Sequence, residues 1–390
     1  MNTFSSWLLL IGMLAEAPPK PVVTVPAIKH KGDNAAAVAI SADGALVAAA
    51  YGGPSTTRFP LEGTTGGVWV WDRKTGKPLY SLRDFGSILR VEFSRDGRYL
   101  AYTRIYTPGD SIHTARTALI DWKARKVVHH WEADCFAFDP TGDRILVGTS
   151  DHIRLIELAT LKEQKTLGIS SPRCLAVSPD GKQVAALGTF WQGRRGSPDG
   201  LYVFNLETGK AIVTRHGENL HKAQSLAFSP DGKELVSGHD GGEARRWPAS
   251  DATAKPRLLT LDTPLALFPL FLDGGKTLGL VTQPANGLHW DYDRTDPSGF
   301  KVEKGKTPPW ADLHRFEPEA AEPRPVLWRF QDAGYRTFYA RFRTTRGTPE
   351  VNSRRYVLSS DGKTIVLGCN GCTLIDARTG KIEIRLEPKD

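Results

Sequence analysis

Most of what this chain of 390 residues lacks bears on function. It has no long apolar run. The nearest, residues 258–272, is interrupted by Asp262, Pro264 and Pro269, so no membrane-spanning helix is expected. It has no Gly-rich phosphate loop, no HExxH helix, no calcium loop and no Ser-His-Asp order that can be singled out. Sulfur is scarce, with four Cys and two Met. No second ligand pair accompanies the cysteines, so no zinc site is expected. Thr373 follows Cys372 where covalent haem attachment needs His. No cofactor, metal or catalytic residue is therefore assigned. Charge excess is modest: 51 basic against 43 acidic residues, a formal +8.

What the chain does have is a repeat. Its clearest copy is Leu226 to Trp247, LAFSPDGKELVSGHDGGEARRW. Ser229-Pro230-Asp231-Gly232 suits a tight turn, with Pro presetting φ at the second position and Gly accepting φ > 0 at the fourth. Leu226, Ala227 and Phe228 before it form a short apolar inner strand, and Leu235 and Val236 begin the next. His239-Asp240-Gly241-Gly242 supplies a second turn, and Glu243 to Trp247 returns as a third strand.

The inner turn recurs at Ser41-Ala42-Asp43-Gly44, Ser94-Arg95-Asp96-Gly97, Asp139-Pro140-Thr141-Gly142, Ser178-Pro179-Asp180-Gly181, Leu272-Asp273-Gly274-Gly275 and Ser359-Ser360-Asp361-Gly362. From Gly to Gly the gaps are 53, 45, 39, 51, 42 and 88 residues. A second marker runs in phase with the first. It is an apolar or aromatic residue closing the third strand: Trp71, Trp122, Ile156, Phe204, Trp247, Trp290 and Ile375. A sheet of this kind cannot bury both faces alone, whereas copies packed face to face can. A period of roughly 40 residues therefore predicts an all-β chain folded as a single β-propeller of four-stranded blades. Seven blades are expected, with eight as the alternative, because residues 300–350 read either as an irregular insertion or as a degenerate blade. Residues 326–330 and 337–345 read as strands there. Residues 22–28 are expected to add a strand to the last blade, beside 381–386.

The unit resembles the WD40 repeat. Ser237, Asp240 and Trp247 fall where that family places its serine, turn aspartate and third-strand tryptophan. His216, followed by Gly217, and His221 are the two candidates for its histidine. The resemblance covers residues 18–390 and implies protein binding. It carries no catalytic residue.

Residues 1–17 are expected to be an export signal. Residues 7–14 are apolar, and Ala15-Glu16-Ala17 is a small-x-small cleavage site, although residues 2–6 carry no Lys or Arg. A periplasmic or extracellular location follows from that reading. So does a protein partner, or an acidic polysaccharide, rather than nucleic acid. A monomer is expected.

Five features are candidates for chemistry. From Arg336 to Arg355 there are six Arg and one acid, interleaved with aromatics. Arg336, Arg341, Arg343 and Arg346 can grip carboxylate, phosphate or sulfate. Cys369 and Cys372 flank Asn370-Gly371, a hairpin centre that sets two cysteines within disulfide reach. Cys135 and Cys174 stand seven residues before their turn glycines on consecutive inner strands, either bonded or simply buried. The other inner strands have Ala37, Arg90, Ser225, Leu267 and Arg355 at that place, and Arg90 and Arg355 would make the channel mouth basic. His129-His130 lies on an outer strand, where adjacent side chains point apart and cannot share a metal. Stretches 52–67, 105–116 and 189–200 lengthen the connection between second and third strands, all on one rim. Three functions follow: a non-catalytic scaffold, a propeller hydrolase or lactonase with a channel-mouth site, or an anionic-glycan binder using Arg341, Arg343 and Arg346.

Overall fold

The structure, a computed structural model, describes residues 23–25, 35–51, 65–85, 87–105, 115–189, 199–217, 220, 223–251, 253–261, 266–283, 311–316, 328–330, 356–368, 372–377, 379 and 381–386. After β1 (Val23–Val25), the strands fall into seven sheets. The first holds β2 (Ala35–Ile40), β3 (Leu46–Tyr51), β4 (Thr65–Asp72) and β5 (Pro78–Phe85). The second holds β6 (Ser87–Phe93), β7 (Tyr99–Ile105), β8 (Ala115–Asp121) and β9 (Lys126–Glu132). The third holds β10 (Cys135–Phe138), β11 (Arg144–Gly148), β12 (His152–Glu157) and β13 (Glu163–Gly168). The fourth holds β14 (Ser170–Val177), β15 (Gln183–Thr189), β16 (Asp199–Asn205) and β17 (Ala211–His216). The fifth holds β18 (Ala223–Phe228), β19 (Glu234–His239), β20 (Glu243–Pro248) and β21 (Arg257–Thr260). The sixth holds β22 (Ala266–Leu272), β23 (Thr277–Gln283), β24 (Ala311–Phe316) and β25 (Trp328–Phe330). The last holds β26 (Tyr356–Leu358), β27 (Thr364–Gly368), β28 (Cys372–Asp376) and β29 (Ile382–Leu386).

Six of these sheets are antiparallel blades of four consecutive strands, as the repeat predicts. The sixth sheet departs from them, because β1 joins β25 in parallel to make five strands. This overturns the expected pairing of 22–28 with 381–386. The last blade is built wholly from β26 to β29, and β1 pairs Val23 with Trp328 and Val25 with Phe330 instead. The third strand of the sixth sheet is likewise β24, not a segment ending at Trp290, which lies outside the described residues. Of the two strands expected at 326–330 and 337–345, the first contains β25 and the second lies outside the described residues.

The repeated turn works by a local hydrogen-bond set. Gly44 has φ 71° and its N–H donates to the Ser41 carbonyl at 2.8 Å. The Asp43 carboxylate accepts from the Ser41 hydroxyl and from the Ala45 N–H, and the Leu46 N–H donates to Ser41 Oγ at 2.9 Å. Ser178, Ser229 and Ser359 repeat this with Asp180, Asp231 and Asp361. Glycine is needed at the fourth place because a Cβ is strained at that φ.

Blades stack because both faces of their middle strands are apolar. Apolar cores lie between the first and second blades, around Val70, Tyr102 and Trp122, and on round the ring to the fifth and sixth sheets. Near the axis the backbones converge, so the first blade uses alanine: Ala37, Ala48, Ala49 and Ala50 are fully buried. At the rim most positions are wet: β9 buries only Trp131 and β13 only Leu167. The ring closes where the last blade meets the first. Val366, Cys372, Leu374 and Leu386 pack on Tyr51, Trp69 and Trp71. Arg73 of the first blade donates to Thr364 Oγ1 at 2.6 Å and Glu383 Oε2 at 2.9 Å. The Ser360 hydroxyl donates back to the Ala42 carbonyl.

Candidate functional site

In the clearest repeat unit, the Trp247 indole N–H donates to Ser237 Oγ at 2.9 Å, and that hydroxyl stands 2.9 Å from His239 Nε2. Gln224 Nε2 donates to the Asp240 carboxylate at 3.1 Å, and the Arg215 guanidinium lies 4.6 Å from the Trp247 ring centre. The histidine of this network is therefore His239. His216 packs edge-on against Tyr202 instead, 5.6 Å between ring centres, and His221 lies outside the described residues. The set ties the second and third strands of the fifth blade together, and Arg215 of β17 joins the fourth blade to it.

The inner strands meet at the axis around a channel of about 270 Å³. Its polar wall comes from one register feature. The inner strands of the first, second, fourth and fifth blades slip against their neighbours just after their first residues, between Ala35 and Ala37, Ile88 and Arg90, Ser170 and Cys174, and Ala223 and Ser225. Such a bulge re-aims the side chains beside it. In the third blade Asp134 precedes β10, and its N–H donates to the Gly148 carbonyl at 2.9 Å. Three consecutive blades thus place Asp134, Arg173 and Gln224 on the channel wall, eight residues before their turn glycines. Arg90, Phe268 and Tyr356 complete the lining that matters chemically.

The charges on this wall differ in how they are satisfied. Arg90 is 5% exposed, donates to Glu92 Oε2 at 2.9 Å and lies 4.9 Å from the Phe136 ring centre. Arg173 donates to Asp199 Oδ1 at 2.7 Å and to the Leu220 carbonyl at 2.6 Å. The Asp134 carboxyl has no hydrogen-bond or ion-pair partner among the described residues. Burial alone pushes its pKa from the ordinary 3.8 up to about 6. Cys135 donates its S–H to the Pro172 carbonyl at 3.0 Å, and burial pushes its thiol well up, so it is a packed neutral group. Cys135 and Cys174 are both free and buried.

The WD domain, G-beta repeat family model matches residues 211–247, the unit built on Trp247 and Ser237. The chain is a WD40-repeat β-propeller. Its fold is also similar to that of Kuenenia stuttgartiensis hydrazine synthase. The TM-score is 0.54 and the identity 15%, over 93% of this chain and 98% of that one, a likeness of fold alone. A WD40 propeller is in general a scaffold for protein interaction. Among the described residues no helix is long and apolar enough to cross a membrane.

Within this propeller, four of the seven positions that sequence reading set in one inner-strand layer, Arg90, Cys135, Cys174 and Ser225, line the channel, whereas Ala37 and Leu267 do not. That reading missed Asp134, Arg173 and Gln224, one residue earlier in each repeat, because only the register slip turns that position inward. Arg355, the Arg-rich set Arg336, Arg341, Arg343 and Arg346, and Cys369 lie outside the described residues. Cys372 is buried in the seam between the last and first blades, and burial raises its pKa. His129 and His130 are exposed on the outer strand β9, as expected, with the His129 ring 4.7 Å from that of Trp131.

Asp134 gives the propeller a pH dependence of definite sign. A carboxyl whose pKa is raised on folding does not oppose folding below its unfolded value near 3.8. Its penalty grows as pH rises through about 6. At neutral pH that penalty is on the order of 1–3 kcal/mol for a half-buried group. Asp134→Asn is expected to raise stability by about that amount at pH 7 and to gain little at pH 4, read from denaturant midpoints at the two pH values. The turn carboxylates have the opposite sign: the Ser hydroxyls beside Asp43, Asp180, Asp231 and Asp361 hold them below the usual range, so their contribution is lost as pH falls.

Proposed function

We propose that this propeller is a non-catalytic scaffold of the cell envelope or the extracellular space, exported after cleavage near Ala17, which holds a protein partner on one face of the disc. One observation carries the reading. Inner strands begin on the face where second strands end, with Cys135 opposite Gly148 and Ser170 opposite Thr189. The second strands therefore end at Tyr51, Ile105 and Thr189, and the third strands begin at Thr65, Ala115 and Asp199, on the same face as the channel mouth. Three long connections and a polar wall on one face make a surface with more to offer a partner than the tight Ser-x-Asp-Gly turns opposite. Loops on a rigid frame carry function more often than the frame itself.

The channel chemistry supports binding rather than turnover. Asp134 is the single carboxyl on the described channel wall, so the paired carboxylates of a hydrolase do not form there, and the Cys135 thiol is held neutral. The test is to shorten the three connections, replacing 54–62, 107–113 and 191–197 with Gly-Ser. Thermal unfolding should move by only a few degrees, since surface loops tolerate changes in length. Retention of the protein partner captured from an envelope extract should fall by about tenfold or more. Unchanged retention would move the binding surface to the other face or the rim.

A further inference from the structure

We propose that the channel mouth is a binding site for a small organic ammonium ion, with Asp134 as its counter-ion and the rings of Phe268 and Tyr356 as its apolar wall. The site is independent of the scaffold reading, and its failure would leave that reading untouched.

The argument is one of charge balance inside an enclosed space. Three ionic side chains line the described channel: Arg90, Asp134 and Arg173. Both guanidinium groups are already neutralised, by Glu92 at 2.9 Å and Asp199 at 2.7 Å. Gln224, on the neighbouring inner strand, is bonded to Asp240. Among the described residues, what remains is one carboxyl with no partner, in a channel whose wall is otherwise largely carbon. A buried charge without a partner is costly, and proteins keep such groups where a ligand completes them. Phe268 and Tyr356 lie edge to face, 5.7 Å between ring centres, and are each about one-twentieth exposed. Rings of this kind attract a cation and exclude water, while the carboxylate fixes its position. An anion would be repelled by Asp134, and the charge of each arginine is already offset by a carboxylate. A neutral ligand would leave the carboxylate unpaired. The volume of about 270 Å³ suits a one-ring or short-chain amine rather than a polymer.

Because burial holds the empty site's carboxyl up near 6, the ion must displace a proton to bind below that pH. Among the described residues, the other charged or titratable groups on the channel wall are Arg90 from β6, Cys135 from β10, Arg173 and Cys174 from β14, and Tyr356 from β26. The guanidinium groups keep their charge throughout, so the carboxyl controls the window. Affinity should rise between pH 5 and pH 7.5 and then level off.

The test is calorimetric titration of the full chain with benzylammonium, with benzyl alcohol and benzoate as neutral and anionic controls. Benzylammonium should give a saturable one-site isotherm at pH 7.5, weakened several-fold at pH 5, and neither control should bind. Asp134→Asn should weaken benzylammonium at least tenfold. Absence of a saturable isotherm, equal binding of benzyl alcohol, or an affinity unchanged in Asp134→Asn would each overturn the proposal. The pH series on the unaltered chain decides the matter even if the variant fails to fold.

Discussion

Among the described glycines, Gly238→Ala should be the most damaging substitution. Gly238 lies in β19, and an added Cβ there would sit 1.8 Å from the Leu267 carbonyl oxygen and 2.6 Å from its carbon. It would also meet Ser225 Oγ at 2.6 Å, and that hydroxyl donates to the same carbonyl at 3.0 Å. Glycine inside a strand marks a place where another backbone comes close, and here that backbone is the inner strand of the next sheet. A flexible side chain could move aside, but β22 is held by its ladder to β23. Overpacking usually costs 1–3 kcal/mol, and a clash with fixed backbone belongs at or above the top of that range, about 3 kcal/mol or more. Gly168→Ala is the control. That glycine is in β13, and nothing lies within 4 Å of its added Cβ. It should change stability by no more than about 0.5 kcal/mol. Denaturant midpoints of the two variants at equal slope would measure the contrast.

Loss of the last strand should be worse still, and loss of the first should be mild. Ending the chain at residue 380 removes β29. With it go Leu386, which is buried against the Trp69 and Trp71 side of the seam, and Glu383, which holds Arg73. Burial of one Leu contributes about 1.5–3 kcal/mol, and the lost ladder to β28 and the uncovered seam add to that. The sum reaches the total stability of an ordinary domain, about 5–15 kcal/mol. The shortened chain should therefore lose its cooperative thermal transition. Starting at residue 29 removes only β1, whose three residue pairs with β25 lie at the outer edge of the sixth sheet. That deletion should lower the midpoint by a few degrees at most. The reverse order would mean that the ring is closed through the N-terminal strand after all.

These two results bear on what the amino-acid sequence reveals of such a fold. The turns were legible because they are local. Ser, Asp and Gly at fixed spacing make their hydrogen bonds within six residues, as Ser41, Asp43 and Gly44 do. The blades followed, because turn and third-strand markers run in phase. The sixth sheet was misread because its third strand, β24, stands far from β23 in the chain, so its closing aromatic, Phe316 opposite Leu278, comes much later than the spacing of the other units places it. The partner of β1 was misread because a parallel pair joined through three hundred residues leaves no local trace. The candidate site was half legible. The layer containing Arg90 and Cys135 was found by counting back from the turn glycines. The layer containing Asp134, Arg173 and Gln224 was passed over, since a strict period of two turns it away from the axis and only a bulge turns it back. His239 was read as part of a turn, whereas its bond to Ser237 places it in the network that was sought at His216.

The most direct test of the account asks which face of the disc meets the partner in living cells. A photocrosslinking amino acid would be placed at Arg58, Pro108 and Arg194, in the three long connections. It would also be placed at Arg98, Lys182 and Lys233, beside the tight turns on the opposite face, where the Arg98 and Lys233 side chains are 60% and 81% exposed. Adducts to one protein from the first three positions, and none from the second three, are the expected result. Adducts confined to Arg98, Lys182 and Lys233 would contradict it, and the face bearing the channel mouth would no longer be the functional one.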